Sequence, residues 1–229
     1  MKLRPYQNEA VNAIFNQWNS GFKNTLLVLP TGTGKTVVFS KVVEEEVKDG
    51  SKALILAHRG ELLDQASDKL KLASGLDSAL EKAESTSIGS PLNVTVASVQ
   101  TLSQEKRLAR FPRDYFKTIV VDEAHHSMSE TYQRILQHFD AARVLGVTAT
   151  PDRADQKNLG QFFNSKAYEY SMHQAVKEGF LCPVRAQMIP LELDIHSVGM
   201  SNGDYAVGEI GGALEPYLNQ IAIEMVNYC

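Results

Sequence analysis

The sequence predicts an α/β fold: a doubly wound, mainly parallel sheet with helices on both faces. Short apolar, β-rich runs occupy 25–29, 53–57, 94–97, 118–121 and 144–148, and helix-length amphipathic stretches such as 35–48, 60–72 and 129–139 lie between them. Strands that are apolar throughout need cover on both faces, and helical crossovers between them make neighbouring strands parallel. The third observation is a glycine-rich turn, Gly32-Thr33-Gly34-Lys35-Thr36, placed between the first strand and the first of these helices. In such sheets ligands bind outside the carboxyl ends of the strands. The residues to inspect are therefore 30–36, 58–65, 98–102, 122–126 and 149–153.

Composition narrows the function classes. The 229 residues, 43% hydrophobic and 22% charged, suit one large globular domain or two small ones and exclude collagen-like or disordered chains. The longest apolar run, 53–57, is far short of the ~20 residues that cross a bilayer, so no membrane association is expected. Two cysteines, Cys182 and Cys229, argue against a disulfide framework and against a Cys-ligated zinc. The start, Met1-Lys2-Leu3-Arg4, has no apolar leader, and a cytoplasmic location follows as the expectation. With 23 Lys+Arg against 27 Asp+Glu the net charge is -4, so any nucleic-acid contact must use a local patch.

Taken in order, the strand at 25–29 leads into Pro30, Thr31, Gly32, Thr33, Gly34, Lys35 and Thr36, the strand–turn–helix setting of a phosphate-binding P-loop. Glycines let backbone N–H groups wrap the phosphates, and the helix N-terminus adds its positive dipole end. Lys35 reaches the β/γ-phosphates and Thr36 can ligand Mg2+. The first consensus position carries Leu29 instead of Gly. After the strand at 118–121 come Asp122 and Glu123, carboxylates suited to the second half of an ATPase: Asp122 on Mg2+, Glu123 on the attacking water. Capping of the next helix is the competing reading of this pair. A kinase would need an acceptor site and lid, and a GTPase an Asn-Lys-x-Asp segment; neither signature is present. Glu46-Val47-Lys48 mimics a nuclease Glu-x-Lys but lies inside the helix after the P-loop, so it is not read as catalytic. His138, His173 and His196 show no metal-ligand spacing and are read as structural, and His126 is read as a surface histidine at a helix N-terminus. A serine-rich surface loop is expected at 82–91, and a helical pattern resumes over 217–229 after an irregular stretch.

Asp122-Glu123-Ala124-His125, Thr148-Ala149-Thr150 and the P-loop, in this order, resemble motifs II, III and I of superfamily 2 helicases. The closer likeness is to the DEAH-containing type III restriction subunit group, through 146–153, and it covers 3–190. The resemblance implies a RecA-like P-loop NTPase that uses ATP and Mg2+ to move on DNA, with RNA as the alternative track. It further implies roles by position. Leu3-Arg4-Pro5-Tyr6-Gln7 is similar to the family's adenine-reading segment, with Gln7 bonding the base edge and Arg4 stacking on the ring. Residues 57–65, with Arg59, and 96–102, with Gln100 and Thr101, are similar to loops that touch the nucleic-acid backbone. His125 would join the catalytic set of Lys35, Asp122 and Glu123, and Thr148 and Thr150 would couple the γ-phosphate to the rest of the motor.

A motor of this kind has two RecA-like domains, the second supplying arginine fingers worth ~10³ to 10⁵ in rate. Nothing after Pro190 resembles the motifs of that second domain. The expected organisation is a RecA-like ATP-binding domain at 1–190, and at 191–229 a linker and first helix leading to a second domain that is not in the chain. Such a lobe alone should hydrolyse ATP slowly and not unwind duplex. Two other readings stand beside the helicase: the translocating subunit of a restriction system, and an ATP-gated nucleic-acid clamp.

Overall fold

The computed structural model describes residues 2–57, 63–149 and 159–183, and beyond these 200–201, 204–205, 214–218 and 222. The chain divides into two compact units, Met1–Cys182 and Pro183–Cys229, a boundary that falls earlier than 190/191. In the second unit the described elements are a two-stranded antiparallel pair, Met200–Ser201 with Asp204–Tyr205, and a 3-10 turn, Glu215–Tyr217. The helical pattern expected over 217–229 lies largely outside the described residues.

The first unit runs α1 (Pro5–Asn19), β1 (Asn24–Val28), α2 (Lys35–Glu46), β2 (Ala53–Ala57), α3 (Leu63–Ser74), β3 (Ser78–Glu81), β4 (Val94–Ser98), α4 (Val99–Leu102), α5 (Glu105–Leu108), β5 (Thr118–Asp122), a 3-10 turn (Ala124–His126), α6 (Glu130–His138), β6 (Arg143–Thr148), β7 (Ser165–Glu169) and α7 (Met172–Lys177). The strands form one seven-stranded sheet in the order β3-β4-β2-β5-β6-β1-β7. Every pairing is parallel, so the expected mainly parallel sheet is wholly so among the described residues. The doubly wound topology follows from the same order: β5 and β6 insert between β1 and β2, and the carboxyl ends of β1 and β5 come to lie on either side of the end of β6.

Side chains alternate across each strand with period two, and the two faces feed two separate cores. Leu27, Ile55, Val96, Val120 and Val147 join Ile14, Val38, Val42 and Leu70 of α1, α2 and α3. Leu26, Leu54, Leu56, Ile119 and Val121 join Leu102, Leu108, Tyr132, Ile135 and Phe139 on the opposite face. At the amino end of β5 the buried Glu46 accepts from Thr118 Oγ1 at 2.5 Å and pairs with Arg143, whose guanidinium lies over Trp18. Glu46 is thus a structural group at the end of β5 opposite Asp122.

In the middle of β6, Gly146 lets the Phe163 ring lie against the sheet. A Cβ there would stand 2.6 Å from Phe163 Cε1 and 3.0 Å from Leu26 Cδ1. Gly146→Ala therefore overpacks a filled core and destabilises the fold by about 1–3 kcal/mol, to be read as a lowered midpoint in thermal or urea unfolding. An unchanged midpoint would show that Phe163 gives way freely.

Candidate nucleotide-binding site

The phosphate loop is shaped by its backbone. Gly32 and Gly34 both adopt φ of +85°, in the left-handed region that costs glycine nothing, and Gly34 is the residue on which α2 starts. The loop is then braced from inside. Thr33 is fully buried, its hydroxyl donates to the Pro30 carbonyl at 2.6 Å, and its own carbonyl accepts from Tyr6 Oη at 2.7 Å and Gln7 Nε2 at 3.0 Å. A Cβ on Gly34 would meet Gln7 Nε2 at 2.6 Å, so the brace and the glycine require each other. Thr31 and Gly32 are exposed at the tip, and Lys35 and Thr36 are half-buried on the first turn of α2. The N–H groups of that turn have no partner within the helix and point outward.

Asp122 ends β5, and its Oδ1 accepts the N–H of Glu123 at 3.0 Å. Glu123 adopts φ of +53°, a left-handed backbone that side-chain-bearing residues rarely take. Such strain concentrates at functional sites. His125 Nδ1 lies 3.5 Å from Glu123 Oε2, and the rings of His125 and His126 are 4.1 Å apart. Thr36, Asp122 and Glu123 face one cavity of about 220 Å³, together with Phe39, Gln65 and Lys69. Burial pushes the Asp122 carboxyl above its usual range and the charge of Glu123 adds to this, while Lys35 and Lys69 pull it down.

That balance gives a stability prediction. The folded-state pKa of Asp122 lies above its unfolded value, so the ionised carboxylate opposes folding. The penalty is absent at pH below the unfolded value and complete above the folded one. Asp122→Asn keeps the acceptor for the Glu123 N–H and removes the charge. At neutral pH it is expected to raise the thermal midpoint of the ligand-free chain. A lowered midpoint contradicts the assigned cause.

The other expected site residues are placed less uniformly. Thr148 ends β6 fully buried, and its carbonyl accepts the N–H of Leu29 at 3.1 Å, which ties the end of β6 to the entrance of the phosphate loop. Gln100 and Thr101 lie on α4, directly after β4; Gln100 is exposed and its Oε1 accepts from Ser98 Oγ at 2.8 Å. Thr101 Oγ1 accepts the N–H of Ala83 at 3.4 Å. The serine-rich loop expected at 82–91 is largely at the surface, with Ser87 buried as its anchor. The fully buried Glu81 binds Ser87 N at 2.6 Å and pairs with Arg107, which also donates to the Ala83 and Ser85 carbonyls. Arg59 and Thr150 lie outside the described residues.

Gln7 is buried, and both halves of its amide bond within the protein: Oε1 accepts the N–H of Arg4 at 2.9 Å, and Nε2 donates to the Thr33 carbonyl, which braces the phosphate loop. Tyr6, Gln65 and Lys69 are additions to the site. Gln65 and Lys69 are four apart on α3, one helical face, and that spacing is the signal that could have found them.

Known proteins resemble this chain in sequence and in fold. IRC3 of Saccharomyces cerevisiae, whose name provisionally assigns it ATP-dependent helicase activity, is 31% identical over 226 residues, 93% of this chain and 32% of its own length. The EcoAI type I restriction endonuclease subunit of Escherichia coli is 28% identical over 201 residues, 84% of this chain and 25% of its own. The chain thus spans a third or less of these relatives. A nuclease-deletion mutant of the Type ISP restriction-modification enzyme LlaGI, solved with a DNA substrate mimic, shares the fold at a TM-score of 0.61 and 19% identity, over 79% of this chain and 21% of that one. The family described as type III restriction enzyme, res subunit, matches residues 1–153, the span that carries the phosphate loop, Asp122–Glu123 and Thr148. With that match over most of its length, the chain belongs to the type III restriction enzyme res subunit family.

Proposed function

We propose that this chain is the ATP-binding lobe of an ATP-dependent DNA translocase or helicase. The observation that supports it most is the meeting of Thr36, Asp122 and Glu123 around one cavity, with Lys35 near enough to act on the Asp122 carboxyl. In this reading the β- and γ-phosphates lie along 30–36 and Lys35 offsets charge on the transferring phosphoryl group. Glu123 orients or deprotonates the attacking water, and His125 beside it reports the state of the γ-phosphate. The donors fit Mg2+: a hydroxyl from Thr36 and a carboxylate from Asp122, with the remaining positions left to water and phosphate oxygens. Burial disfavours the charged form of the Asp122 carboxylate, and a bound cation would offset that cost.

Arg59, Gln100 and Thr101 are assigned to the nucleic-acid backbone, DNA being favoured by the restriction enzymes among the relatives. A second RecA-like domain of the same protein would close the site. No helix among the described residues is long and apolar enough to cross a membrane, and a cytoplasmic location is the accompanying proposal. The similarity to the EcoAI subunit favours one second reading, the translocating subunit of a restriction system. The test is ATP turnover in the intact protein with single-stranded DNA, duplex DNA and RNA. DNA stimulation is expected; stimulation by RNA alone, or by none of the three, would overturn the proposal.

A further inference from the structure

We propose that the Arg107–Glu81 ion pair is a positioning device for nucleic-acid binding: it fixes the turn at 82–85 against α3 and α4 and so sets the spacing between the two segments assigned to the nucleic-acid backbone. This rests on the nucleic-acid reading above and adds two residues that none of the motif segments contains. The turn is closed by the Ser85 N–H, which donates to the Lys82 carbonyl at 2.8 Å. It touches both segments. The Lys82 ammonium donates to Asp64 Oδ2 on α3 at 2.9 Å, and Asp64 belongs to 57–65. The Ala83 N–H donates to Thr101 Oγ1 on α4 at 3.4 Å.

The ion pair supplies what the turn cannot. Ala83 adopts φ of +46°, a left-handed backbone that an alanine keeps only where its surroundings over-determine it. Those surroundings are the Arg107 fork: Nε donates to Glu81 Oε1, and Nη2 donates to the Ala83 carbonyl at 2.9 Å and to the Ser85 carbonyl. Glu81 ends β3 with its side chain fully buried, and its second oxygen accepts the Ser87 N–H at 2.6 Å, Ser87 Oγ at 3.0 Å and Thr86 Oγ1 at 3.2 Å. One carboxylate therefore anchors both the arginine and the chain that follows the turn. A buried ion pair adds little stability over apolar packing of the same size; what the fork adds is geometry, since its planar donors match only one arrangement of acceptors. Contact groups ordered beforehand spare the entropy of ordering them on binding. Neither Arg107 nor Glu81 lines the cavity that Thr36, Asp122 and Glu123 share, so the pair acts on the nucleic-acid side alone.

The experiment titrates ATP turnover of the intact protein with duplex DNA for wild type, Arg107→Lys and Glu81→Gln, and measures the KM for ATP at saturating DNA. Arg107→Lys keeps the charge and gives up the fork. It is expected to raise the DNA concentration for half-maximal turnover about 5- to 100-fold, the cost of ordering two contact side chains on binding, while DNA-free turnover, turnover at saturating DNA and the KM for ATP stay within twofold. Glu81→Gln keeps the size, removes a negative charge and is expected to shift the DNA dependence the same way, whereas a simple effect of charge would tighten DNA. That opposite shift overturns the proposal. So does a half-maximal DNA concentration within twofold of wild type in Arg107→Lys, or a fall in turnover at every DNA concentration, which would mean that the pair serves the fold alone. Loss of folding in both variants, read by thermal unfolding, would mean the same and overturns it too. The nucleic-acid reading fails separately, if DNA leaves wild-type turnover unchanged or if Gln100→Ala with Thr101→Ala leaves its DNA dependence as it was.

Discussion

Lys35→Ala lowers ATP turnover at least about 100-fold in the intact protein. Lys35 is the first residue of α2, placed there by the left-handed turn at Gly34; it is half-buried, and its charge favours the ionised form of the Asp122 carboxyl. A cation fixed at that point costs no reorganisation when charge develops on the transferring phosphoryl group. Losing one such preorganised group costs ~10² to 10³ in rate. Phosphate release measured at saturating DNA checks it, and turnover within twofold of wild type contradicts the phosphate role. The fold should survive the change, because Lys35 is not among the core residues and the brace on Thr33 comes from Tyr6 and Gln7.

Glu123→Gln separates chemistry from binding. The carboxylate is held out by a left-handed backbone and backed by His125 Nδ1 at 3.5 Å. Its amide replacement keeps size and hydrogen-bonding capacity but cannot take a proton. Loss of a positioned general base costs ~10² to 10⁴ in rate. Turnover should fall by that factor while Mg·ATP affinity stays within a few-fold of wild type. Equal losses in binding and turnover would place Glu123 among the binding groups instead. Asp122→Asn should show the opposite pattern, with binding lost first, because Asp122 is assigned to the cation.

The central strands and both halves of the phosphate site were legible because each has a strong local cause. Fully apolar runs identify β1, β2, β4, β5 and β6, and glycine at 32 and 34 answers to two left-handed backbone positions. The edge strands β3 and β7 carry a weaker signal: Ser78–Leu80 are half-buried and Ser165–Glu169 half-buried or exposed, and their Ser and Lys residues, with the buried Glu81, break the apolar pattern that burial on both faces creates. Helix α1 carries its pattern openly, with Tyr6, Ala10, Ile14 and Trp18 four apart and buried, yet only its first turn was given a role. The brace on Thr33 is harder to see, since Tyr6 and Gln7 lie 27 and 26 residues away and a bond to a carbonyl leaves no mark in residue type.

The central claim is that the first turn of α2 and the end of β5 form one Mg·ATP half-site within this chain. Calorimetric titration of ATP into the 229-residue chain, with and without Mg2+, tests it most directly. Saturable binding is expected, strengthened by Mg2+ and abolished by Lys35→Ala, with its Mg2+ dependence removed by Asp122→Asn. Binding indifferent to both substitutions would contradict it.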